Sequence, residues 1–168
     1  MKKISIFMIF LLICAATLTA QNVTILYLDK SETNLEAGSF IKEEAKSQNQ
    51  DITIKYAAGF KKLKGNEKIV VLLNSGLSSG IDPRIETFIN SSNKKDSLIL
   101  VNLYSKGNAV FVEVTEKFDS LVGVDEISAA SQYRKSSGGF FSKSKVNPVL
   151  EMHKEWTAKL FALIQDRL

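Results

Sequence analysis

The chain has 168 residues, 45% of them apolar, with 22 lysines and arginines against 18 acids and a single cysteine. That is enough apolar material for one domain with one core, and no low-complexity linker or internal repeat argues for two. A net charge of +4 with no concentrated basic face excludes a nucleic-acid binder, and the lone cysteine excludes a disulfide framework or a thiolate metal site.

Residues 1–20 read as a secretory signal peptide. Lys2 and Lys3 precede an apolar run from Ile4 to Ile13, small residues follow through Ala20, and no acid appears before Asp29. Cleavage is expected after Ala16 or Ala20. The apolar stretch falls short of the roughly 20 residues that span a bilayer comfortably, so no membrane span is expected after cleavage. A second reading is a lipid anchor at Cys14, since Leu11-Leu12-Ile13-Cys14 resembles a lipoprotein cleavage box, although bulky Ile13 stands where a small residue is expected. Either way the working protein is exported, periplasmic or secreted, or lipid-anchored in the envelope. Loss of the signal removes two lysines and leaves 20 basic residues against 18 acids.

Val23 to Leu28 is a β-branched apolar run, as in a strand buried on both faces of a parallel sheet. Thr33 with Glu36 three residues on forms a capping box for a helix whose apolar stripe is Leu35, Ile41 and Ala45 and which ends at Ser47-Gln48-Asn49. Ile52 to Tyr56 reads as a second strand. The Lys- and Gly-bearing link 57–67 is too short and irregular for a crossover helix, and its cluster Lys61, Lys62, Lys64 and Lys68 reads as a solvated loop. Ile69 to Leu73 is the strongest strand in the chain. After the loop Asn74 to Gly80, Asp82 as N-cap and Pro83 at the first position start a helix that turns Ile85, Phe88 and Ile89 inward.

Ser97 to Leu103 is the next strand. Ala109 to Val114 is either its hairpin partner or a strand reached by a longer route. Gly123 to Ile127 reads as a short strand, and Ser136 to Gly139 as a flexible stretch. Met152, Trp156, Leu160, Leu163 and Ile164 then fall at helical spacing, so a last amphipathic helix should lie across the sheet. Strands alternating with helices predict an α/β fold with a mainly parallel sheet.

The order of these elements, and above all Thr24 to Ala45 and Lys68 to Ile89, resembles the flavodoxin-like family. The resemblance implies a single domain over residues 21–168, a doubly wound, mainly parallel five-stranded sheet with helices on both faces. It also implies FMN at the carboxyl ends of the strands. Carried onto this sequence, the phosphate would meet Ser31, Thr33 and Asn34 at the start of the first helix. The flavin ring would lie near Asn74, Ser75 and Gly76, with Tyr104 stacking on it.

The loop Asp29 to Asn34 departs from the family pattern. It carries two carboxylates, Asp29 and Glu32, and no glycine. A carboxylate about 5 Å from a phosphate dianion costs on the order of a few kcal/mol at an effective dielectric near 20. Glu36, as part of the capping box, would also complement the helix dipole internally. Asp125 to Ser131 resembles the motif at which exported redox proteins attach FMN to Thr, but Ala129 replaces the glycine and Tyr133 stands at the acceptor position. Asp125, Ser128 and Ser131 are therefore expected as loop residues near the ligand end of the sheet.

No other chemistry announces itself. His153, the only histidine, has acids two positions away on either side, the wrong spacing for a helical metal pair, and reads as a helix-surface residue. There is no G-x-S-x-G turn for a hydrolase. Asp29, Glu32 and Glu36 could gather round a hard cation such as calcium, against the simpler reading of charge complementing the helix dipole. The sequence thus points to an exported flavodoxin-like binding or accessory module of the cell envelope with a degenerate FMN site. Its partner would be an envelope protein or a small molecule. The alternative is an exported FMN electron carrier.

Overall fold

The computed structural model describes residues 21–48, 52–65, 67–77, 79–104, 112–114, 121–130 and 148–168. The expected signal peptide with Cys14, and Ser131 and Tyr133, lie outside the described residues. In chain order the elements are β1 (Gln21–Tyr27), α1 (Glu32–Ser47), β2 (Ile52–Ala58), a 3-10 turn (Phe60–Lys62), β3 (Ile69–Ser75), α2 (Pro83–Ser91), a second 3-10 turn (Lys95–Ser97), β4 (Leu98–Tyr104), β5 (Val112–Val114), β6 (Asp125–Ala130) and α3 (Pro148–Gln165).

The apolar runs of β1, β3 and β4 have no polar face to offer solvent, so they become central strands covered on both sides. The sheet order is β2-β1-β3-β4-β6-β5. Five strands are parallel, and short β5 pairs antiparallel with β6 at the edge. On one face Val23, Ile25, Val71, Ile99, Val101 and Ile127 pack against α1 and α3; on the other Leu26, Val70, Leu72 and Leu100 pack against Ile85 and Ile89 of α2. This is a flavodoxin-like doubly wound α/β topology, with one extra antiparallel strand. Among the described residues no helix is long and apolar enough to cross a membrane.

Three expectations need correction, and one open alternative, second in order here, is decided. Helix α1 begins at Glu32, two residues earlier than the Thr33–Glu36 capping box implies, and its N-cap is Ser31. The residues it turns to the sheet are Asn34, Ala37, Gly38, Ile41 and Ala45. Leu35, one position round from that stripe and so rotated by about 100°, is 55% exposed. Small residues win the inner face because they let the helix lie close to the sheet. At Gly38 an added Cβ would come within 3.0 Å of the Tyr56 ring, whose hydroxyl donates to the Gly38 carbonyl at 2.7 Å.

Second, the 112–114 segment reaches β6 by a longer route and pairs with it, not with β4. Third, Asp125 and Ser128 belong to β6 and not to a loop; Ser128 is buried, and Asp125 starts the strand at the end away from the expected ligand site, held by Arg167 at 2.6 Å. Fourth, His153 lies inside α3's packed face and is 3% exposed.

The β2–β3 link makes only the turn Phe60–Lys62, as its short and irregular sequence implies. Phe60 stacks on Phe88 of α2 with ring centres 4.5 Å apart, which covers part of the face a crossover helix would cover.

Candidate functional site

The strand order reverses between β1 and β3. Chain leaving β1 crosses one face as α1, chain leaving β3 crosses the other as α2, and the two loops part at the carboxyl ends of the strands to leave the crevice where doubly wound sheets bind ligands. Loop 28–31 forms one wall and loop 76–82 the other. Five of the seven residues implied by the resemblance, Ser31, Asn34, Asn74, Ser75 and Gly76, come together here; Thr33 is half-buried in the first turn of α1.

Their side chains are spent on one another. The Asp29 carboxylate accepts the Ser31 backbone N–H at 3.0 Å and the Asn34 amide at 3.0 Å. The same amide reaches the Asp29 carbonyl at 3.1 Å, and Asn34 Oδ1 accepts from the Ser75 hydroxyl at 2.8 Å. Ser31 Oγ accepts the Asn34 N–H at 3.4 Å, a long cap bond. Asn34, buried, thus ties the loop after β1 to the end of β3. Replacing it with alanine should cost about 1 to 2 kcal/mol, because the half-buried Ser75 hydroxyl and the exposed Asp29 carboxylate lose their bonds at once, and a shifted urea midpoint would measure it.

Asn74 makes the equivalent tie on the other wall. Its side chain is 2% exposed. Its amide donates to the Gly80 carbonyl at 3.0 Å and to Asn102 Oδ1 at 2.7 Å, and its oxygen accepts the Asp82 N–H at 3.0 Å. Asn102 in turn donates to Ser128 Oγ at 3.3 Å. A polar ladder therefore runs under the site across β3, β4 and β6. Gly76 and Gly80 supply the left-handed turns, at φ 82° and 77°, that bring loop 76–82 back over it. Tyr104 closes β4 as a buried residue, 6% exposed.

At the mouth, the part played by Arg84 was missed at the level of sequence. Arg84, in the first turn of α2, forms a two-pronged pair with Asp82, Nε to Oδ1 at 2.9 Å and an Nη to Oδ2 at 2.7 Å. The Asp82 carboxyl is held below its ordinary range chiefly by that side-chain bond. Asp29 is lowered first by the Ser31 backbone N–H, then by the Ser31 hydroxyl, by Asn34 and by the charge of Arg84. The signal for Asp29 was an aspartate two residues before a serine at a helix start, where its carboxylate can close an Asx turn.

These residues do not fit a flavin phosphate. A phosphate at the start of α1 would use loop N–H groups such as that of Ser31, and Asp29 already holds that group with a full negative charge. The internal anion expected at Glu36 is Asp29 instead; Glu36 is exposed. Among the described residues no group of three His, Cys, Asp or Glu is placed to hold a metal, and Asp29, Glu32 and Glu36 form no such cluster. No protein-family model, curated protein or solved structure matches this sequence, so the flavodoxin-like description is one of topology.

Proposed function

We propose that this chain is an exported flavodoxin-like domain that serves as a binding or accessory module of the cell envelope, its FMN site given up. The observation that carries the reading is the Asp29 carboxylate on the Ser31 N–H. It supplies the negative charge that the helix start favours, and it repels the dianion that an FMN phosphate would bring. The carboxyl ends of β1 and β3, where doubly wound sheets take their ligands, would then serve a small molecule or a segment of an envelope protein, beside the Asn34–Ser75 tie and above the Asn74–Asn102 pair. Export rests on the pattern of residues 1–20, with lipidation at Cys14 as the second form; the mass of the mature N-terminal peptide separates them.

The test is a titration of purified protein from Gln21 to Leu168 with FMN, followed by quenching of flavin fluorescence. No quenching is expected at tens of micromolar, and protein purified from cells should be colourless. A yellow protein that releases flavin on denaturation would instead establish the exported electron carrier. Asp29→Ser should strengthen binding of inorganic phosphate or FMN by about tenfold, the effect of removing one charge about 5 Å from a dianion at partly screened dielectric.

A further inference from the structure

We propose that the corner of the molecule at the amino ends of β3, β4 and β6 is a docking surface for an anionic membrane. This goes beyond the crevice, which lies at the opposite end of the same strands, and it stands whether or not that crevice binds a ligand. Three short connections meet at this corner. The Lys94 ammonium donates to the Gly65 carbonyl at 3.0 Å, joining the loop before β3 to the loop before β4. Gly123, in the turn before β6, lies against the Lys95 side chain.

Lys64, Lys68 and Lys94 are exposed and Lys95 is half-buried, and among the described residues none of the four is in an ion pair. The described acids near them offset them only in part. Glu67 spends both carboxylate oxygens on the N–H groups of Lys64 and Gly65, at 2.6 and 2.8 Å, and Asp125 is paired with Arg167; Asp96 is exposed. On the turn that lies against Lys95, Val122 stands 77% exposed. An apolar tip beside lysines suits the headgroup layer, where the methyls enter and the ammoniums meet phosphates. An acidic peptide in water would use the charges and leave the valine idle.

The lipid-anchored form would favour the same partner. Strand β1 starts at Gln21 and runs parallel to β3 and β4, so its amino end lies at the same end of the sheet as theirs. In that form a lipid on Cys14 would be seven residues from β1, a reach of about 25 Å at most when fully extended. Such a tether would hold this end of the sheet near the bilayer.

The experiment is co-sedimentation of the Gln21 to Leu168 chain with vesicles of pure phosphatidylcholine or of phosphatidylcholine with 30% phosphatidylglycerol. Binding only to the anionic vesicles is expected, abolished by 0.5 M NaCl. Each lysine removed should weaken it by about fivefold, since a lysine near such a surface contributes about 1 kcal/mol. The variant K64Q/K68Q/K94Q/K95Q should therefore lose it, while K30Q/K42Q/K154Q/K159Q, with the same change of net charge elsewhere, should lose far less. V122D should weaken binding and V122W should strengthen it with a blue-shifted emission. Circular dichroism checks that each variant folds. Equal binding to both vesicle types, no binding to either, or equal loss in the two quadruple variants would overturn the proposal, as would capture of polyglutamate in preference to the anionic vesicles.

Discussion

Replacing Asn102 with alanine is expected to lower the free energy of unfolding by about 2 to 4 kcal/mol, read from urea denaturation at neutral pH. The residue is 0% exposed in the middle of the sheet and holds Asn74 on one side and Ser128 on the other, at 2.7 and 3.3 Å. Truncation leaves part of the Asn74 amide without its partner in a place that water does not reach, where desolvation is not returned. It also leaves a cavity. Because Asn74 positions Gly80 and Asp82 through the same side chain, the damage should spread to loop 76–82, visible as faster amide exchange there and little change at the far end of β3. Asn102→Asp should be at least as harmful, since it would bury a charge in the ladder. A loss below about 0.5 kcal/mol for the alanine variant would mean that the ladder carries no stability.

A second large effect comes from His153. It stacks on Phe40 of α1, ring centres 3.9 Å apart, and its Nδ1 accepts the Trp156 indole N–H at 2.9 Å. The neutral ring therefore carries its proton on Nε2, which is buried without an acceptor among the described residues. Burial pushes the imidazole down from 6.5 to about 4. Above pH 6.5 neither the folded nor the unfolded chain binds this proton, and the contribution to stability is complete. As the pH falls through 6.5 the unfolded chain takes up the proton and the folded one refuses it. The contribution is then lost progressively until pH 4, where the loss levels off at about 3 kcal/mol.

The carboxylates of Asp29 and Asp82, lowered from 3.8, lose their contributions as the pH falls below that value, so neither competes with His153 in the interval from 6.5 to 4. His153→Asn retains an oxygen to accept from Trp156 and cannot titrate. The wild type should lose about 3 kcal/mol more than this variant between pH 7 and pH 4. Parallel stability curves for the two proteins would contradict the assignment.

Much of the architecture was legible from residue pattern. Ile69 to Leu73 and Ser97 to Leu103 are apolar and β-branched without alternation, and only a sheet covered on both faces accommodates that. The Asp82-Pro83 start was equally clear, because the side chain and the ring act within one turn: Asp82 accepts the Arg84 N–H at 2.9 Å. The start of α1 was misread for a related reason. Ser31 and Thr33 can each cap a helix locally, and the choice was made by Asn34, whose burial against Ser75 comes from a strand forty-one residues on. The pairing of β5 was similarly open, since Val112–Val114 has the same apolar character whether its neighbour is β4 or β6.

The candidate site divides the same way. Which residues stand near the switch point followed from the resemblance in strand order, and five of the seven did gather there. What those side chains do could not be read, since an asparagine after a strand looks the same whether it faces a ligand or, like Asn74, turns into the protein. His153 shows the same limit, for its neighbours in sequence are charged and only Phe40 from α1 makes its surroundings dry. By itself the sequence determined the α/β class, the main strands, the apolar faces of α2 and α3 and the carboxylates at the start of α1, because each depends on periodicity or on contacts within a few residues. The tertiary structure alone decided that Asp29 is the anion, that the asparagines form a ladder and that the histidine is buried, because hydrogen bonding and desolvation at those positions are set by residues distant in the chain.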